Sequence, residues 1–274
     1  MDRRAVTAGC GTAACLVIVL LVTSNRNDHS TAVGCIQPHR PGNISSIPIY
    51  LGNGCFWERQ WAYYNVETKL FGRSDAALTS IVGYGGGQKP IPGATTQSVC
   101  YHTQDERDYE ALGHAEVVQV ELDADRAMAQ MSTLAHDFFD SFHGPFGARF
   151  RPDPMDVGSP YRSLIGLPGG ASSPLYAAIR TANVHGMVLK PSSKGGDADE
   201  LNTVWLMDTE EFPFWTGEVY QQYHCNFFAS EGMPYPRWYW EKLWKQQQTS
   251  CRIVPTGCPE DHPLTPHPGW MCQW

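Results

Sequence analysis

Between Gly113 and Phe142 the chain changes its hydrophobic period. In "HAEVVQVELD", His114 to Asp123, Val118, Val120 and Leu122 alternate with Val117, Gln119 and Glu121. That two-residue repeat predicts a strand with one face more buried than the other. In the "DADRAMAQMSTLAHDFFDSF" that continues it, Met131, Leu134, Phe138 and Phe142 recur at helical spacing. A strand that runs straight into an amphipathic helix requires a fold that lays helix on sheet. The same pattern precedes it: a strand around Ile47 to Leu51, a "GNG" turn, and a helix from about Cys55 with Trp57, Trp61 and Tyr64 in phase. "LTSIVGYGGG", Leu78 to Gly87, reads as a strand ending in a glycine loop. "YRSLIGL" and "NTVWLMD" read as further strands, "SSPLYAAIRTANV" as a short helix and "PSSKGGDADE", Pro191 to Glu200, as a surface loop. Strands and helices mix without strict βαβα alternation. The expected fold is therefore α+β: a two-layer α/β sandwich with a ferredoxin-like core, helices packed on a mainly antiparallel sheet.

The 274 residues suffice for one sizeable domain. A net charge of −8 without a Lys/Arg run argues against nucleic acid as a partner, which needs clustered positive charge. At the N-terminus, "MDRR" precedes the uncharged Ala5 to Ser24, barely long enough to span a bilayer. Residues 1–24 read as a cleaved signal peptide or an uncleaved signal-anchor. Either sends the remainder into the secretory route, secreted, luminal or anchored through residues 5–24; as part of a bipartite presequence it would lead to a plastid. "NIS" at Asn43 is a short glycosylation pattern consistent with that route. Residues 25–46 read as a linker, 47–225 as the folded domain, and 226–274 as a Cys-, Pro- and Trp-rich tail of little periodicity that wraps the surface. Nine cysteines occur, two of them in the leader, and the seven others are an odd number. At least one is therefore free or pairs between molecules.

Cys55 stands at the junction of strand and helix, in "YLGNGCFWERQWAYYNV". A thiol in the first turn of a helix faces unpaired N–H groups and the positive end of the macrodipole, which favours thiolate. The alternative is a small buried hydrophobe, the commoner fate of a free cysteine. Phe56 and Trp57 cannot take a proton, but they can box a small alkyl group beside the sulfur.

Here "GCFW", Gly54 to Trp57, resembles the signature of the peptide methionine sulfoxide reductase A family. "GYGGG" at Gly83 to Gly87, "GHAEVVQVELD" at Gly113 to Asp123, "DVGSPYRS" at Asp156 to Ser163 and "EVYQQY" at Glu218 to Tyr223 resemble further stretches of that family, in order. The resemblance implies thiol-dependent reduction of methionine-S-sulfoxide, peptide-bound or free, without cofactor or metal. It implies that Cys55 attacks the sulfoxide sulfur, Glu116 supplies a proton, Asp156 and Tyr161 bind the oxygen or an ordered water, and Phe56 and Trp57 hold the S-methyl group. His114 belongs to the same motif and is expected to order the strand start. One position departs: the family's tyrosine three residues before a Val-Cys pair is Thr96 here, and the following loop is longer. Tyr101 or Tyr109 would have to supply the missing hydroxyl, or oxygen binding is weakened.

The attack leaves Cys55 as a sulfenic acid that needs a resolving thiol. Family members often use C-terminal cysteines that relay a disulfide toward thioredoxin or a similar dithiol, which makes Cys251, Cys258 and Cys225 the candidates. The alternative for these is a structural disulfide stapling the tail. Other readings compete. A non-catalytic relative would keep the fold without the chemistry. A secreted thiol hydrolase would need His114 as its base. A zinc deaminase, suggested by "HAE", lacks the Pro-Cys-x-x-Cys pattern that class requires.

Overall fold

The computed structural model describes residues 45–88, 99–102, 108–224 and 237–258. The leader, nearly all of the linker including Asn43, Thr96 and Cys225 lie outside the described residues. The elements are β1 (Ser46–Gly52), α1 (Phe56–Lys69), β2 (Ile81–Gly85), β3 (Ala115–Asp123), α2 (Ala127–Asp140), β4 (Leu164–Leu167), α3 (Tyr176–Ala182), β5 (Val188–Pro191), β6 (Thr203–Asp208), β7 (Trp215–Thr216) and α4 (Arg237–Thr249).

The strands form one seven-stranded sheet in the order β5-β6-β4-β1-β3-β2-β7. β1 pairs antiparallel with β3 and β4, and β2 antiparallel with β3 and β7. β6 instead pairs parallel with both β4 and β5, so the sheet is mixed and the fold is of the α/β kind. A parallel neighbour requires a crossover, and residues 192–202 make the one between β5 and β6. That stretch is more than the surface loop its composition suggests. Ser192 N–H bonds Leu206 O, Gly196 N–H bonds Gly86 O at 2.9 Å, and Asp197 is buried.

Alternation along β1 and β3 sorts the core. Ile49 and Leu51 lie opposite Val120 and Val118. They join Phe56 and Tyr63 of α1, Met131, Leu134 and Phe138 of α2 and Ile179 of α3 in the main cluster. Tyr50, Val117, Leu164, Met207 and Phe212 form a second cluster. β3 is therefore buried on both faces, more deeply than its alternation alone predicts. The polar Glu116 and Asp123 hide among its buried positions.

Two other expectations change. The buried positions of α1 are Phe56, Arg59, Gln60, Tyr63, Val66 and Glu67, whereas Trp61 and Tyr64 pack against a separate cluster with Val219, Tyr223, Leu243, Trp244 and Ile253. The tail supplies three of the cluster's seven buried residues, Leu243, Trp244 and Ile253. Far from lacking periodicity, it forms α4, whose Leu243 and Trp244 are buried. Lys242 pairs with Asp75 and Arg252 with Glu121, which fastens this segment to the body of the domain. Among the described residues no helix is long and apolar enough to cross a membrane.

Candidate active site

The site lies where β1 ends beside the start of β3. The antiparallel register sets Gly52 across from Leu164 of β4, and just beyond it Gly54 N–H donates to Tyr161 O at 3.1 Å. Gly54 adopts φ +105, and a Cβ there would stand 2.5 Å from Asp156 Oδ2. Only glycine lets the chain turn this tightly against that carboxylate. Asp156 uses the proximity: its Oδ2 accepts the Cys55 N–H at 2.7 Å. One residue on, Phe56 N–H donates to Glu116 Oε2 at 2.9 Å. Two carboxyls from distant parts of the chain thus cap the first orphan N–H groups of α1, where negative charge is favoured.

Cys55 caps α1 itself and is half-buried; among the described residues it is the one free cysteine. The helix mouth does not ionise it, contrary to the expectation from position. Burial pushes its thiol well above the usual range, and Glu116 and Asp156 push the same way; the N–H groups of Trp57 and Glu58 oppose this but are outweighed. Glu116 is 2% exposed. Burial raises its pKa to about 8, against the partial opposition of the Phe56 N–H and with Asp156 adding to the rise. At neutral pH the carboxyl holds its proton. Asp156 is also pushed up, chiefly by burial, with the Cys55 N–H opposing.

Aromatic rings line the rest. Phe56 is buried, and its ring centroid is 6.4 Å from that of Trp57, 6.0 Å from Tyr84 and 6.4 Å from Tyr101. The Trp57 indole is fixed on two sides: its Nε1–H donates to Gln221 Oε1 at 2.9 Å, and His224 stacks on it face to face, 3.7 Å between centroids. Burial lowers the pKa of His224 to about 4, so the ring stacks as neutral imidazole. Tyr161, Tyr101 and Tyr109 all have phenols raised by burial and by the nearby Glu116. Cys55 acts on Tyr161 and Tyr101 as well. The Tyr109 hydroxyl donates to Glu110 Oε1 at 3.3 Å and favours the ionised form of the nearby Glu116.

The structure thus brings together Cys55, Phe56, Trp57, Glu116, Asp156 and Tyr161. It separates off the tail thiols. Cys258 is joined to Cys100, and Cys251 is also disulfide-bonded, so neither offers the free thiol expected of a resolving residue. The packing of the tail against β2 and the 219–223 turn through α4 carries Cys258 to Cys100. His114 has both ring nitrogens committed: Nδ1 accepts from Gly87 N–H at 3.1 Å and Nε2 bonds Gln88 O at 2.8 Å. Burial lowers its pKa to about 4. It cannot serve a thiol hydrolase as base and instead pins the glycine loop.

Three contributors were not read from the sequence. Arg162, 0% exposed, donates to Ser159 O, Gly86 O and Gly113 O and so ties the Tyr161 turn to the glycine loop. It sits inside the "DVGSPYRS" stretch, which was the available signal. Glu218 and Gln221 lie in "EVYQQY", but nothing in their spacing says that they reach Tyr84 and Trp57.

A free sulfur between a protonated carboxyl and an aromatic wall, with no available imidazole base in the motif, defines a thiol oxidoreductase site. Comparison with known proteins narrows the class. Residues 48–179 match the family model described as peptide methionine sulfoxide reductase. The peptide methionine sulfoxide reductase MsrA of Agrobacterium fabrum is 35% identical over 186 residues, 66% of this chain and 68% of the relative. That of Nautilia profundicola is 32% identical over 178 residues, 65% of this chain and 80% of the relative, and that of Maricaulis maris 33% identical over 43% of each. Among solved structures, methionine sulfoxide reductase A of Corynebacterium diphtheriae aligns at 20% identity with a TM-score of 0.37, covering 68% of this chain and 74% of that one. The chain belongs to the peptide methionine sulfoxide reductase family.

Proposed function

We propose that Cys55 reduces methionine-S-sulfoxide, peptide-bound or free, to methionine. The observation that carries this reading is the pairing of the free Cys55 sulfur with Glu116, a carboxyl that burial keeps protonated up to about pH 8. Glu116 gives its proton to the sulfoxide oxygen, which makes the substrate sulfur electrophilic. Cys55 bonds to that sulfur as its own proton passes to the vacated carboxylate. The oxygen takes this second proton and leaves as water. Water then adds to the Cys55 sulfur, the sulfur–sulfur bond breaks toward methionine, and the released proton returns to Glu116. The methionine sulfur gains two electrons, and Cys55 becomes a sulfenic acid two electrons poorer. General acid catalysis of this kind contributes about 10²- to 10⁴-fold.

Asp156 fixes the turn through the Cys55 N–H, Tyr161 presents its hydroxyl to the oxygen, and Phe56 with the doubly held Trp57 receives the methyl group. With Cys251 and Cys258 in disulfides, regeneration falls to an external dithiol of the thioredoxin type. One thiol condenses with the sulfenic acid and releases water; the second displaces Cys55 as thiol. Helices α1, α2 and α3 meet in the main core cluster, which supports the finer reading of the fold as a two-layer sandwich with a ferredoxin-like core. The uncharged stretch Ala5 to Ser24 behind Arg3 and Arg4 supports delivery to the secretory route.

The test is turnover of methionine sulfoxide with a dithiol by the full chain and by Cys55→Ser. Methionine formed by the first and not by the second is expected. No methionine from either would favour a non-catalytic relative; equal turnover by both would place the chemistry elsewhere.

A further inference from the structure

We propose that the Cys100–Cys258 disulfide is a fixed positioning element of the active site and not a carrier of electrons: it clamps the loop that presents Tyr101 and Tyr109 to Phe56 and Glu116. This inference rests on the sulfoxide reductase reading and extends it to a part of the chain that the five family-like stretches do not include.

The loop is closed on itself. Cys100 and Asp108 form a bridge, and Tyr109 N–H donates to Cys100 O at 2.8 Å. The residue after each bridge partner is a tyrosine, and the two rings stack 5.3 Å apart at 19°. Tyr101 also faces Phe56, and Tyr109 packs on Tyr84 at 4.8 Å, its hydroxyl near enough to Glu116 to favour the ionised carboxyl. Displacing Cys100 would move the aromatic wall and the hydroxyl beside the acid together.

Glu218 joins the disulfide to this cluster. It is 0% exposed. Its carboxyl oxygens accept the Tyr101 N–H and the Tyr84 hydroxyl, both at 2.6 Å, and one lies within 4.8 Å of both cysteine sulfurs. On the far side, Cys258 belongs to a segment that α4 anchors: Gln247 donates to Asp75 O at 2.9 Å, and Leu243, Trp244 and Ile253 are buried. The disulfide therefore transmits a rigid anchor to a loop that would otherwise hold its tyrosines only by its own closure.

The same surroundings disfavour a redox role. Both half-cystines are buried, with the Glu218 carboxyl packed within 4.8 Å of the sulfurs. Thiol–disulfide exchange requires access to a sulfur. A sulfenic acid on Cys55 condenses with a thiol, and this pair offers none.

Single-turnover kinetics separate the alternatives. Excess wild-type protein or Cys258→Ser is mixed with methionine sulfoxide without reductant, and methionine is counted against time and pH. The clamp predicts a first turnover slowed roughly tenfold to a hundredfold in Cys258→Ser. It also predicts that the alkaline limb set by Glu116 moves to higher pH, because the Tyr109 hydroxyl that favours the carboxylate is no longer held. Tyr109→Phe keeps the disulfide and should reproduce both effects; it decides the matter if Cys258→Ser does not fold. A wild-type first turnover in Cys258→Ser, with loss only on repeated cycling, would make the disulfide an electron carrier and overturn the proposal. So would an unchanged rate and limb in Tyr109→Phe. Absence of methionine from the wild-type protein itself would instead overturn the sulfoxide reductase reading beneath it.

Discussion

Replacing Glu116 by Gln tests the acid and its burial at once. Gln has the same size and keeps an oxygen for the Phe56 N–H, which Glu116 Oε2 accepts at 2.9 Å, but it carries no proton to give. The folded carboxyl ionises at about 8 against an ordinary 4.5. A pKa raised on folding means that the carboxyl's contribution to stability is complete below pH 4.5 and is lost as pH climbs to about 8. Each pH unit inside that window is worth about 1.4 kcal/mol, so the wild-type protein should lose up to about 5 kcal/mol relative to Glu116→Gln across it. Urea midpoints of the two proteins measured below pH 4.5 and above pH 8 give this difference. The activity should move the other way: Glu116→Gln loses about 10²- to 10⁴-fold in kcat, and the fall in rate expected of the wild-type protein above about pH 8 is absent from the variant. A stability difference that does not change with pH, or a variant that retains the wild-type pH–rate profile, would refute the reasoning.

The other predictions concern the neighbours of that carboxyl. Gly54→Ala places a methyl 2.5 Å from Asp156 Oδ2 at a φ of +105; it should lower stability by about 1–3 kcal/mol and slow turnover, as read by thermal melting and initial rates. His224→Ala strips the stacked partner from Trp57 and should raise KM more than it lowers kcat, with His224→Phe restoring much of the difference. Because burial, Glu116 and Asp156 all hold the Cys55 thiol neutral, its alkylation by a haloacetamide should be slow at neutral pH and still rising above pH 9. Above pH 8 the alkylation should be faster in Glu116→Gln than in the wild-type protein.

What the sequence disclosed followed from local periodicity. The alternation in β3 and the stripe Met131, Leu134, Phe138 and Phe142 were legible because each is a contact pattern within one element. The order β5-β6-β4-β1 was not: β5 is four residues, "VLKP", none of them fully buried, and too short and polar to show a period. α4 was obscured because its mean composition is polar, and Leu243 and Trp244 gain their meaning only from Leu78, Val219 and Tyr223. At the site, Cys55, Phe56 and Trp57 are contiguous and could be read directly. The acid function of Glu116 depends on burial imposed by residues far from it in sequence, and the same burial reverses the charge state expected for Cys55. A helix N-terminus favours a thiolate, but two carboxyls on the same orphan N–H groups and loss of water outweigh it. The fate of the tail cysteines was undetermined for a similar reason: Cys100 and Cys258 are 158 residues apart, and only the fold brings them together.

The claim on which the rest stands is that the two-electron oxidation of the substrate passes to Cys55, which becomes a sulfenic acid. It is tested by adding one equivalent of methionine sulfoxide to fully reduced-at-Cys55 protein, quenching with a sulfenic-acid-selective nucleophile and mapping the adduct by mass spectrometry while methionine is counted. One methionine per protein with the adduct on Cys55 is the predicted result. Methionine formed with Cys55 recovered as an unmodified thiol and no cysteine carrying the adduct would contradict it.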